Sequence, residues 1–155
     1  MTIKIHSPSP SAIHHAALAT LLLISLPLSA SGDTLTITVN NIKQASEIHV
    51  AVYDNAEAFG ADRGERGGAA PGITEGTGEM VEPGSVTYVY ELPNGNYAIG
   101  IFHDGNLNSK MDNNFFGVPR ENFGFSNHAS AVFGLRDSED AAFILNGKAS
   151  QSIDS

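Results

Sequence analysis

Leu35, Ile37 and Val39 alternate with Thr34, Thr36 and Thr38, and a period of two places one row of a strand in a core and the other in solvent. Ile48, Val50 and Val52 repeat the rhythm against Glu47, His49 and Ala51. The short link at 43–46 predicts that these two strands pair as a hairpin. From 56 to 78 the rhythm dissolves into a charged tract containing ADRGERGGAAPGITEGTG. So few apolar groups predict a long surface loop, an insertion or mobile flap, with a short strand near 79–81 after it. VTYVYEL at 86–92 is rich in β-branched and aromatic residues, Pro93-Asn94-Gly95 signals a turn, and Tyr97, Ile99 and Ile101 then alternate with Asn96, Ala98 and Gly100. A second hairpin is predicted there. Phe115, Phe116, Phe123, Phe125 and Phe133 follow no period, so 115–133 reads as an irregular segment pinned onto the core by its rings. Phe143 and Leu145 mark a last strand over 140–145, and 149–155 reads as a flexible tail. The pattern as a whole predicts an all-β domain over 32–148, an antiparallel β-sandwich of about six to eight strands.

The first residues change the picture of where this domain works. Lys4, an apolar run over 16–28 and the small residues Ser29-Ala30-Ser31-Gly32 have the layout of a secretory signal peptide over 1–31, too short for a membrane anchor. An exported protein, periplasmic or extracellular, is expected, and not an integral membrane protein. The 155 residues contain no cysteine, which excludes both a disulfide framework and a lipoprotein anchor. The core must hold the domain, helped by whatever ion it binds. A net charge of −9, one unit more negative without Lys4, argues against nucleic acid as a partner.

The candidate chemistry lies in HDGNLNSKMDNNFFG at 103–117. Asp104, Asn106, Asn108 and Asp112 stand at positions one, three, five and nine of a D-x-N-x-N-x-x-x-D pattern, and Lys110 stands at seven, where a backbone carbonyl serves. Hard cations take several oxygens at short range, and alternate Asp and Asn side chains on a curled loop converge as consecutive ones would not; this is the ligand rhythm of a Ca2+ loop. An EF-hand loop has Gly at six and a bidentate Glu at twelve, where this chain has Ser109 and Phe115. The alternative is an Asx-rich turn whose side chains bond their own backbone. With two carboxylates in the pattern, the expected affinity is that of extracellular modules, about 10⁻⁴ to 10⁻³ M. Asp54 or Glu121 would add a third carboxylate.

Other residues carry competing readings. His103 shares the parity of Tyr97, Ile99 and Ile101. It is a packed histidine, a partner orienting Asp104 or, with His128, a transition-metal ligand. His49 falls on an outward face and receives no role. Phe115, Phe116, Phe123 and Phe125 either anchor the core or form a stacking surface. There is no Cys nucleophile, no G-x-S-x-G elbow and no phosphate-cradling Gly motif, which leaves little for catalysis. Ser126 precedes His128 by two residues, and adjacency in sequence is not triad geometry.

LPNGNYAIGIF at 92–102 resembles the L-P-x-G-x-Y hairpin of transthyretin-like and carboxypeptidase-regulatory-like β-sandwiches, which implies an immunoglobulin-like or prealbumin-like topology. NYAIGIFHDGNLNSKMDNNFFGVPRENFGFSN at 96–127 resembles the signature block of a bacterial family of exported proteins known as domain of unknown function family 2141. The likeness runs more loosely from Leu35 to Leu145. Phe133-Gly134-Leu135-Arg136 departs from it, standing where a Pro-rich stretch would precede the last strand. The resemblance implies an N-terminal signal and shared H-D-x-N-x-N-x-x-x-D and G-F-S-N blocks, and it carries over no established activity. The sequence thus predicts a non-enzymatic exported module with a Ca2+ loop, serving recognition of envelope polysaccharide or protein. The alternative is a glycan or ester hydrolase using the His103/Asp104/Glu121 region.

Overall fold

The inward rows expected from the alternation are buried, on two facing sheets. The computed structural model describes residues 32–132, 135–136 and 138–155; the expected signal peptide at 1–31 and the ring of Phe133 lie outside the described residues. In chain order the elements are β1 (Asp33–Ile42), β2 (Ser46–Tyr53), α1 (Ala56–Ala61), β3 (Glu75–Val81), β4 (Gly84–Leu92), β5 (Gly95–Asp104) and β6 (Phe123–Phe125). A 3-10 turn (Ser126–His128), β7 (Ala131–Val132), β8 (Leu135–Arg136), α2 (Ser138–Ala141), β9 (Phe143–Leu145) and β10 (Lys148–Asp154) complete the described chain.

One sheet runs β10-β1-β4 and the other β3-β2-β5-β6, with β9 also paired to β5 and β7 paired to β8 apart from both. Leu35, Ile37 and Val39 of β1, Tyr88 and Leu92 of β4 and Ile153 of β10 meet Ile48, Val50 and Val52 of β2 and Tyr97, Ile99 and Ile101 of β5 in one core. The all-β sandwich is therefore as expected, but neither predicted hairpin exists. β1 pairs with β4 and β10, while β2 pairs with β3 and β5. The links 43–45 and 93–94 instead carry the chain from one layer to the other. Alternation fixes which face of a strand is buried, not which strand lies beside it. At the second crossing Tyr97 Oη donates to the Pro93 carbonyl at 2.9 Å, so the L-P-x-G-x-Y motif closes an arch between sheets.

The expected flexible tail at 149–155 is corrected: β10 runs parallel to β1 from Thr34↔Lys148 to Asn40↔Asp154. Its sequence shows no apolar row because Ile153 is its one fully buried side chain, with small Ala149 packed against the same core, and the ladder hydrogen bonds cover an edge that would otherwise stand open. The sheet is accordingly mixed rather than wholly antiparallel. Gly124 admits this strand, since a Cβ there would lie 2.5 Å from Ile153 Cγ2 and 2.7 Å from the Asp154 carbonyl oxygen.

The 56–78 tract is also more ordered than expected. Asn55 Oδ1 caps α1 by accepting from the Ala58 amide at 2.9 Å, and α1 drives Phe59 into a second core on the outer face of the five-stranded sheet, with Tyr53, Ala98, Phe125 and Ala141. Phe59 stands edge-on to Tyr53 and Phe125, ring centroids 5.5 and 5.7 Å away. β3 begins at Glu75 rather than 79. The predicted strand over 140–145 begins in helix: α2 supplies Ala141 to the second core, and only 143–145 is extended. Among the described residues no helix is long and apolar enough to cross a membrane.

Candidate metal centre

Side chains of β2 and β5 that point away from the sandwich core build the site. Glu47 pairs with Asp104 and His49 with Phe102 across the two strands, so these four occupy one end of the outer face. Asp104, the last residue of β5, is 0% exposed. The loop that follows buries it by curling back: Asp104 Oδ1 accepts from the Asn108 amide at 3.1 Å and Oδ2 from the Ser109 amide at 2.5 Å. Hydrogen bonds from backbone amides to a carboxylate of this kind are stronger than those between neutral groups.

The alternation D-x-N-x-N produces the curl. Asn106 Oδ1 accepts from the Asn108 amide at 3.2 Å, and Asn108 Oδ1 from the Lys110 amide at 2.8 Å, successive Asx turns that advance the chain two residues at a time. Leu107 (φ 60°) and Ser109 (φ 58°) are left-handed. Ser109 therefore adopts, at position six, the backbone conformation for which calcium loops use glycine. The outward ends of both asparagines meet Asp112. Asn106 Nδ2 donates to Asp112 Oδ2 at 2.6 Å, and Asn108 Nδ2 lies 3.2 and 3.3 Å from the two carboxylate oxygens. The structure thus brings Asp104, Asn106, Asn108, Lys110 and Asp112 into one loop.

Glu121 joins them as a clasp rather than as a further ligand. Its Oε1 accepts from the Gly105 amide and its Oε2 from the Asp112 amide, each at 3.1 Å, so one carboxylate ties the first and last turns of the loop together. The Gly-rich tract holds the loop from the other side. Met111 donates its amide to the Gly64 carbonyl at 2.7 Å, and Gly68 donates to the Ser109 carbonyl at 3.1 Å. Gly64 is left-handed (φ 70°), and a Cβ on it would stand 2.8 Å from Met111 Cβ. The glycines here reflect close approach, and the mobile-flap expectation is corrected.

Three expected residues do not join the site. Asp54 follows Tyr53 at the far end of β2, seven residues from Glu47, or about 23 Å at the strand rise; its amide bonds Thr74 Oγ1 instead. His103 lies on the opposite face of β5 from Asp104, 6% exposed, with Nδ1 3.3 Å from Ser46 Oγ. Burial pushes its pKa below the ordinary histidine range. His128 sits exposed on the 3-10 turn, with no hydrogen bond to His103 among the described residues. The His103/Asp104/Glu121 constellation required by a hydrolase does not assemble, because consecutive strand residues face opposite ways.

The aromatic segment divides. Phe125 is buried and Phe123 packs beside it, as expected of anchors. Phe115 and Phe116 are 97% and 85% exposed, which corrects the expectation that all these rings serve the core. They ride a tight turn in which Asn114 Oδ1 accepts from the amides of Phe116 and Val118 at 2.9 and 3.0 Å.

Sequence reasoning missed His49 and Glu47. His49 Nε2 is buried without a hydrogen-bond partner among the described residues and lies 3.7 Å from both Glu47 Oε2 and Asp104 Oδ2. The E-x-H spacing on one strand face was a usable signal, but only the pairing of β2 with β5 brings Asp104 opposite.

An all-β sandwich with an Asx-rich loop folded over one end of its outer face is the class that fold and site define. The chain belongs to the bacterial family described as "Uncharacterized protein conserved in bacteria (DUF2141)", which matches residues 37–154 and so spans both sheets, the loop and the C-terminal strand. No curated protein and no solved structure matches the chain.

Proposed function

We propose that this protein is an exported, non-enzymatic recognition module whose 104–112 loop binds Ca2+ and thereby fixes the 113–119 turn that presents Phe115 and Phe116. The observation that carries this reading is the convergence of Asn106 and Asn108 on the Asp112 carboxylate, at 2.6 and 3.2 Å, in a loop rooted on buried Asp104. Two carboxylates, two side-chain carbonyls and the Lys110 main-chain carbonyl form an all-oxygen donor set suited to a hard cation. Rotation of the two carboxamides would exchange their NH2 groups for carbonyl oxygens facing Asp112, replacing hydrogen bonds with ion contacts. Asp112 is mechanically linked to the aromatic turn: its carbonyl accepts from the Arg120 amide at 2.7 Å, and Asn113 bridges Pro119. Two adjacent rings in solvent on a rigid turn suit stacking on a sugar or seating in an apolar recess of an envelope protein. Export rests on the signal-like pattern of residues 1–31.

The melting temperature of the purified protein in Ca2+ and in chelator tests the reading. At a Ca2+ concentration ten times the dissociation constant, binding adds about 1.4 kcal/mol, a rise of several degrees for a domain of this size. Asp112→Asn should remove that response. Coincident melting curves in chelator and in about 10 mM Ca2+, well above the affinity of extracellular modules, would reduce the loop to an Asx turn.

A further inference from the structure

We propose a second metal site, for a borderline divalent ion of the Zn2+ class, formed by Glu47, His49 and Asp104 on the outer face of β2 and β5. It shares Asp104 with the calcium reading but uses none of the other loop residues, so the two can fail separately. Among the described residues this is the one group of three or more such side chains whose ligand atoms lie within 4.8 Å of one another. His49 Nε2 stands 3.7 Å from Glu47 Oε2 and 3.7 Å from Asp104 Oδ2. A tetrahedral ion with Zn–N and Zn–O bonds of about 2.1 Å sets its ligand atoms roughly 3.4 Å apart, so the two His49 distances need contract only by a few tenths of an ångström, and the two carboxylates, within 4.8 Å of each other, close the third edge by side-chain rotation.

Two independent features point to a ligand here. Among the described residues His49 Nε2 is buried with no hydrogen-bond partner, an arrangement that burial penalises unless something satisfies the nitrogen. Its ring is held in place, stacked on Phe102 with centroids 4.5 Å apart and planes 5° from parallel. The second feature is Gly78, which pairs with His49 from β3. A Cβ at that position would lie 3.1 Å from Glu47 Oε1 and 3.5 Å from His49 Cε1 and Nδ1, so glycine leaves room beside Glu47 and His49 for these side chains to adjust around an ion. Asp104 Oδ2 already accepts from Ser109, and a carboxylate oxygen retains a further lone pair for an ion. One imidazole and two carboxylates suit Zn2+ and neighbouring first-row ions; imidazole makes the site a poor one for Ca2+.

Untagged, chelator-stripped protein titrated with Zn2+ by calorimetry tests the proposal, with the visible spectrum of the Co2+ form reporting the ligands. The expected result is one ion per chain in the site. His49→Phe, which keeps a ring over Phe102, and Glu47→Gln should each weaken binding at least tenfold and alter the Co2+ spectrum. Asp112→Asn should leave Zn2+ binding unchanged while removing the Ca2+ response. If Zn2+ fails to bind, or binds equally well to both His49→Phe and Glu47→Gln, the proposal is overturned, and the three groups are a histidine packed between two carboxylates. Should His49→Phe not fold, Glu47→Gln and the Co2+ spectrum decide alone.

Discussion

The outer face of the five-stranded sheet is closed at its two ends by opposite means. At the Tyr53 end, a six-residue helix lowers Phe59 onto Tyr53, Ala98 and Phe125. At the Asp104 end, a nine-residue position pattern folds over the same two strands using backbone amides aimed at carboxylates. The first closure is held by burial and ring contacts that no ion alters. The second gathers Glu47, Asp104, Asp112 and Glu121 around one polar segment, and backbone amides and Asn side chains donate to three of these carboxylates. One strand pair therefore carries a region held by apolar burial beside a region held by hydrogen bonds to carboxylates, and the proposed Ca2+ site makes only the second responsive to cations.

Phe59→Ala gives the largest expected effect. Truncating this fully buried ring should cost about 3–5 kcal/mol, measured by urea denaturation, with the same loss in Ca2+ and in chelator. Asp104→Asn comes next. Losing the charge that accepts the Asn108 and Ser109 amides should cost about 1.5–3 kcal/mol and should also remove the Ca2+ dependence of the melting temperature. A smaller effect belongs to the inner core, where Tyr88 Oη is buried without a partner among the described residues. Burial first, then Glu79 and Tyr90, push its pKa from 10.0 up to about 12. The unfolded chain releases this proton more readily, so the contribution is complete below pH 10.0 and disappears as pH rises to about 12. Tyr88→Phe should flatten that alkaline decline and leave stability at pH 7 equal or higher by up to about 1 kcal/mol. Replacing Phe115 and Phe116 together with Ser should change unfolding free energy least, within about 0.5 kcal/mol. A loss of several kcal/mol there would make the two rings core anchors after all.

Much of this architecture was legible in the alternation of residues. The rows Leu35-Ile37-Val39 and Ile48-Val50-Val52 point inward as their period requires, and the D-x-N-x-N spacing curls as Asx chemistry dictates. Strand neighbours were not legible, because a hairpin and an arch between sheets demand the same buried face. β10 escaped notice because hydrogen bonding to β1 leaves no trace in side-chain hydrophobicity beyond Ile153. Phe115 and Phe125 are alike in composition, and only the three-dimensional reach of α1 decides which ring finds a core. His49 stayed silent for a related reason: its polar neighbour on β5 is 55 positions away and becomes visible only with the register Glu47↔Asp104.

Residue-resolved hydrogen exchange in Ca2+ and in chelator measures the contrast between the two ends most directly. The amides of Asn108, Ser109 and Lys110, which bond Asp104 and Asn108, should gain protection when Ca2+ is added, while the Phe59 amide, bonded to the Asn55 carbonyl at 3.0 Å, should exchange at an unchanged rate. Equal protection of the loop amides in both conditions, or a gain confined to the helix, would contradict a calcium-responsive loop.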